Sequence, residues 1–224
     1  MVTQMSAADH GKISTAIAAA EGGTDGEIVA ITADTSDPYH DVGLHYAVAA
    51  LFLMIAMFAV WPNQLEGLWT RLMGWSEPPG LQQYLTLMLG TALLTFLIAL
   101  YAMKWMPLRL MLTPGATKTR RVRRRALMLF RAAAERRTVG RTAVIVYLSM
   151  GERRAEIIGD EAITAVTTPE TWGEAMAALL VEVRAGRPGD GIVAAVARVG
   201  TVLAEHFPKT SDDLNEIPDK LIEL

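Results

Sequence analysis

The chain of 224 residues has no cysteine, which excludes disulfides and thiolate catalysis and is compatible with a reducing compartment. Histidine is sparse: His10, His40, His45 and His206 are scattered, so no nucleophile stands beside a base. No glycine-rich phosphate loop is present, and the EGG at 21–23 reads as the end of a helix. The opening MVTQMSAADHGKIS lacks the apolar run of a signal peptide. Two stretches, 44–61 and 81–103, lack charge altogether. A third, 104–141, nearly lacks acids, with Glu135 alone against twelve Lys and Arg.

The two uncharged stretches are what the chain does have. At about 1.5 Å per residue they reach roughly 27 and 35 Å, against a hydrocarbon core of about 30 Å. Both are expected to cross a bilayer as a hairpin. The rival reading, two buried core helices, is set aside because a domain of this size rarely buries two long charge-free helices on every side. The loop at 62–80 carries Arg71 against Glu66 and Glu77, so the positive-inside rule puts the basic side in the cytoplasm. Two spans then return the chain to its starting side. The expectation is an inner (plasma) membrane protein with both termini cytoplasmic and Trp61, Trp69 and Trp75 in an outer aromatic belt. In the loop, Leu65, Leu68, Trp69, Leu72 and Met73 follow a one-faced helical spacing that suits the membrane surface.

The net charge of −3 hides a separation: −6 over 1–43, −1 over the loop, +11 over 104–141 and −7 beyond. A basic cluster at Arg120, Arg121, Arg123, Arg124 and Arg125, just inside a span, is what anionic lipid headgroups attract. No nucleic-acid partner is expected.

Beside the spans, 6–21 reads as a helix capped by Ser6, with Ile13 and Ile17 on its apolar stripe, and 27–32 as a strand. A helix and one strand cannot bury their own apolar face. The complement is the apolar run at 142–149, a strand buried on both faces, joined by a tight connection to a second strand at 155–158. Helices are expected at about 117–137, at 169–185 with Pro169 in the first turn, and at 190–207. In the first of these Leu127, Met128, Phe130 and Ala134 are set towards protein or membrane. The fold class is therefore α/β: a small, few-stranded sheet with helices packed against it, interrupted by a two-helix transmembrane hairpin. One cytoplasmic domain takes 1–43 plus 104–208, the hairpin takes 44–103, and the tail at 209–224 is a short packed helix or a partner-binding segment.

Residues 13–31, containing AIAAAEGGTDGEIVAI, the run GRTAVIVYLSMGERRAEIIGDEAI from Gly140, the helix from Trp172 and the GRPGDG break at 186–191 together resemble the TPM domain family. Its members include thylakoid-lumen proteins of photosystem repair and many bacterial membrane proteins. The chain is similar to the bacterial subgroup of predicted membrane proteins with a transmembrane hairpin inserted after the first strand. The resemblance implies a compact TPM-like α/β domain, binding of calcium or another divalent metal in some members, and acid phosphatase activity in others.

Carried to this sequence, the family's acidic loops fall at Asp160 and Glu161 and at Asp190, with Asp25 and Glu27 beside the first strand. Oxygen ligands in that number suit calcium or magnesium, so these five are the candidate metal residues. Each is also an ordinary helix cap or solvated loop acid. No catalytic residue is assigned. The expected function is a non-catalytic interaction or assembly module for a membrane complex, with another membrane protein as partner. A divalent-metal-dependent phosphatase acting near the inner leaflet is the alternative.

Overall fold

The computed structural model describes residues 5–74, 79–133, 142–168, 170–210 and 217–224. In chain order the elements are α1 (Ala7–Glu21), β1 (Glu27–Ala33), α2 (His40–Val60), α3 (Asn63–Met73), α4 (Leu81–Ala102), α5 (Met106–Leu112) and α6 (Gly115–Ala133). They continue with β2 (Ala143–Ser149), β3 (Arg154–Gly159), α7 (Glu161–Val166), α8 (Gly173–Arg184), α9 (Pro188–His206) and β4 (Ile222–Glu223). The chain divides into two compact units, Met1–Asp37 with Pro114–Leu224, and Pro38–Thr113.

The first unit is a four-stranded sheet in the order β3-β2-β1-β4. Strands β1 and β2 are parallel, with Glu27 opposite Ala143 and Ala33 opposite Ser149; β4 adds in parallel on the far side of β1, and β3 returns antiparallel to β2. Alternation of side chains along β1 and β2 splits their apolar residues between two cores. Ile28, Ala30, Val144, Val146 and Leu148 face Ile13 and Ile17 of α1, Leu179 of α8 and Val196, Val199 and Leu203 of α9. Val29, Ile31, Ile145 and Tyr147 face Val122, Ala126 and Phe130 of α6. Burial on both faces is why these strands are continuous apolar runs rather than alternating ones.

Helices α1 and α9 run parallel and nearly touch. A Cβ on Gly189 would lie 2.6 Å from Asp9 Oδ1, and one on Gly200 would lie 2.6 Å from Ala20 Cβ. The α1 start is a capping box, with Asp9 N donating to Ser6 Oγ at 3.1 Å and Ser6 N to Asp9 Oδ2 at 3.2 Å.

In the second unit, α2 and α4 pack through Met54, Phe58 and Ala92, while Leu65 and Leu68 of α3 cover that contact. At the other end Tyr39, Val42 and Met103 pack with α5. Arg109 of α5 is buried; its Nε donates to Met103 O at 2.7 Å and its Nη1 to Pro38 O. These contacts are why the hairpin unit extends beyond 44–103 on both sides. Both α2 and α4 are long and apolar enough to cross a membrane, and most of their residues are not buried, unlike a soluble core helix. Phe52, Leu53, Leu89, Leu94 and Ile98 all project outward.

Three expectations are corrected. The basic helix starts at Gly115, and an additional helix, α5, precedes it because Pro107 stands in its first turn. In α6, Phe130 is buried with Val122 and Ala126, while Leu127 and Met128 are exposed. The α8 helix begins at Gly173. The described part of the tail holds no helix: Pro218 interrupts it, Ile217 and Leu221 are buried, and the end pairs with β1, Leu224 N donating to Thr32 O at 2.9 Å. Trp75, Ala134 and Pro169 lie outside the described residues.

Candidate functional site

Four of the five candidate metal residues gather at one end of the sheet. Glu27 opens β1 opposite Ala143, and Asp160, just past β3, donates its N–H to Ala143 O at 2.9 Å, so these two buried acids flank one residue of β2. Asp160 caps α7 by accepting from Glu161 N at 2.7 Å, while its Oδ2 is buried and accepts no hydrogen bond among the described residues. Glu161 is exposed in the first turn of α7. Asp25 is spent on the tail: its Oδ1 accepts from Thr210 N at 2.7 Å and its Oδ2 from Thr210 Oγ1 at 2.8 Å.

Asp190 is not with them. The C-terminal end of α9 is bonded to this end of the sheet through Asp25 N and Phe207 O, 3.1 Å. Asp190 stands in the first turn of that helix, 17 residues before Phe207, so it lies about 25 Å away. There it holds Lys12 Nζ at 2.8 Å. Among the described residues no three His, Asp or Glu side chains gather as a metal shell. The five residues do not fit one calcium or magnesium ion.

The residue that sequence reading missed is Glu21. It closes α1 and is buried, and its Oε1 accepts the Ile28 N–H at 2.7 Å, pinning the helix end to the first strand. Burial, with the carboxylates of Glu27 and Asp219 near by, pushes its pKa from 4.5 up to about 8, although the Ile28 hydrogen bond pulls the other way. An acid in the last turn of a helix, against the negative end of the macrodipole, was the available signal.

At the opposite end, where the chain leaves β1, a polar network holds residues 34–37. Glu152 is buried; its Oε1 accepts from Ser36 N at 2.8 Å and its Oε2 from Ser149 Oγ. Ser36 Oγ lies 2.9 Å from Tyr147 OH, and burial pushes that phenol's pKa up. Asp37 then accepts from Arg121 Nη1 at 2.7 Å and Arg124 Nη2 at 3.2 Å. Arg121, one of the five clustered arginines, is thus engaged inside the unit. These contacts fix backbone rather than present a reactive group.

No family model matches the chain, and no curated protein does. Among solved structures it is similar to the NMR structure of the BA42 protein from the psychrophilic bacterium Bizionia argentinensis sp. nov., with a TM-score of 0.57 and 18% identity over 99% of this chain and 97% of that one. At that identity the likeness bears on the fold, a mixed α/β one.

Proposed function

We propose that the chain is a membrane-anchored protein of the TPM type whose α/β unit is a non-catalytic docking module for a membrane complex. Helices α2 and α4 cross the inner membrane, and the α/β unit with both termini lies in the cytoplasm. The observation that carries this reading is the outward apolar surface of α2 and α4, set between two chain segments that make one sheet. That surface has no partner among the described residues and suits lipid. The exposed Arg120 of α6 suits anionic headgroups.

Support for docking rather than turnover comes from acids that are committed to tying the chain together: Asp25 to Thr210, Asp190 to Lys12 and Glu152 to Ser36. Crosslinking in native membranes followed by affinity capture is the test: a specific membrane-protein partner is expected, and none would overturn the reading. Hydrolysis of a generic phosphoester that calcium or magnesium stimulates, and that Asp160→Asn abolishes, would replace it with a metal-dependent phosphatase.

A further inference from the structure

Strand β3 is the outer edge of the sheet, and its free side is a trough. Asp160 N bonds to Ala143 O, which fixes the antiparallel phase: Arg154, Glu156 and Ile158 turn their backbone groups toward β2, whereas Ala155, Ile157 and Gly159 turn theirs away. None of those outward groups bonds to another described element. Along this edge lie two hollows of about 790 and 490 Å³ that share Glu156 and Met176. Their walls come from α6 on one side, with Thr119, Arg123 and Leu127, and from α8 on the other, with Met176, Leu180 and Arg184. The strand forms the floor between two helical layers, where an added strand would lie about 4.8 Å from β3.

The trough has a sign. Arg123, Arg153, Arg154 and Arg184 line it, none in an ion pair among the described residues, and Arg154 Nε is buried without a hydrogen-bond acceptor. Of its two acids, Glu152 is taken by Ser149 and Ser36, and Glu156 sits in the field of Arg123 and Arg154. An open sheet edge is a template for an added strand, and the cations flanking this one select a chain of opposite charge.

We propose that this edge binds an acidic, extended segment of another protein, which adds to β3 as a fifth strand. The proposal rests on the docking reading above and locates its surface. About six residues of partner would pair along β3, alternate side chains entering the α6 and α8 walls and carboxylates meeting the arginines.

The test uses the full chain in lipid nanodiscs and a fluorescein-labelled nonapeptide of alternating valine and glutamate. Saturable micromolar binding is expected. Ala155→Pro, which removes one outward N–H at a position an edge strand tolerates, and the double variant Arg153→Glu/Arg184→Glu should each weaken it at least tenfold with an unchanged melting temperature. The same peptide N-methylated at alternate residues, or with lysine for glutamate, should not bind. Equal binding of the lysine peptide, or binding undiminished in both variants, overturns the proposal. Concentration-dependent dimers abolished by Ala155→Pro would give the edge to a second copy and overturn it also. If native-membrane crosslinking captures the same partner with Ala155→Pro as with the wild type, the docking reading stands and this site is wrong.

Discussion

Asp37 is held 2.7 Å from Arg121, and the two residues bracket the whole hairpin unit in sequence. Arg121 lies two helical turns past Pro114, where the chain returns to the α/β unit, so departure and return are clamped on the same side of it. Both side chains are largely shielded, at 12% and 18% exposure. Asp37→Ala should lower stability by about 1–2 kcal/mol, and a double-mutant cycle with Arg121→Gln should give about 1 kcal/mol of coupling in thermal melts. Additive losses would refute the clamp.

Glu21 sets a pH dependence of definite sign. In the unfolded chain its carboxyl loses its proton near 4.5, whereas in the fold it keeps it up to about 8. Between those values the unfolded state binds fewer protons, so the stability Glu21 confers in acid falls as pH rises and is lost above about 8. The slope is on the order of 1 kcal/mol per pH unit. Glu21→Gln keeps an acceptor for Ile28 N and has no proton to lose, so it should be more stable than the wild type at pH 9 by roughly 1–3 kcal/mol and equal to it at pH 4. Parallel melting curves at all pH values would contradict this.

The α1–α9 contact makes a paired prediction about glycine. Gly200→Ala puts a methyl 2.6 Å from Ala20 Cβ and must push the helices apart, at about 1–3 kcal/mol. Gly11, on the exposed side of α1, has nothing within 4 Å of its Cβ position, so Gly11→Ala should stabilise by up to about 1 kcal/mol. Chemical denaturation of both variants in one detergent measures the contrast.

The absence of native cysteine makes the topology directly measurable. A single cysteine at Gly67 in α3 should react with an impermeant maleimide added outside intact cells. One at the exposed Arg120 should react only after lysis. The reverse pattern would invert the proposed orientation.

Much of this architecture was legible because long apolar periodicities carry it. The strand at Glu27, the buried run at Val144–Leu148 and the two uncharged spans are strong local signals, and each became an element within a few residues. The α5 helix was not legible, because seven residues around Pro107 leave too little periodicity and Arg109 reads as surface charge when it is in fact buried. The short β4 strand was hidden for the same reason, since its pairing depends on β1. Among the candidate metal residues, sequence order gave no sense that Asp190 belongs to the far end of α9. The bond from Asp25 N to Phe207 O at the other end of α9, and the parallel packing of α1 and α9 through Gly189 and Gly200, reveal that.

The insertion between β1 and β2 also fixes a timetable for synthesis. Glu27 and Ala143 are neighbours in the sheet but 116 residues apart in the chain. At about 5–20 residues per second, β1 is made roughly 6–23 seconds before the strand it pairs with exists. Throughout that interval an Ile- and Val-rich strand, buried on both faces in the finished protein, lacks its sheet neighbour, and the α8 and α9 layer over one of its faces comes later still. The nascent chain therefore completes its two apolar spans while its first strand is still unpaired, and the sheet closes last. A holdase that shields this strand, or a ribosome held close to the bilayer, would protect the step at which the protein is most prone to aggregate.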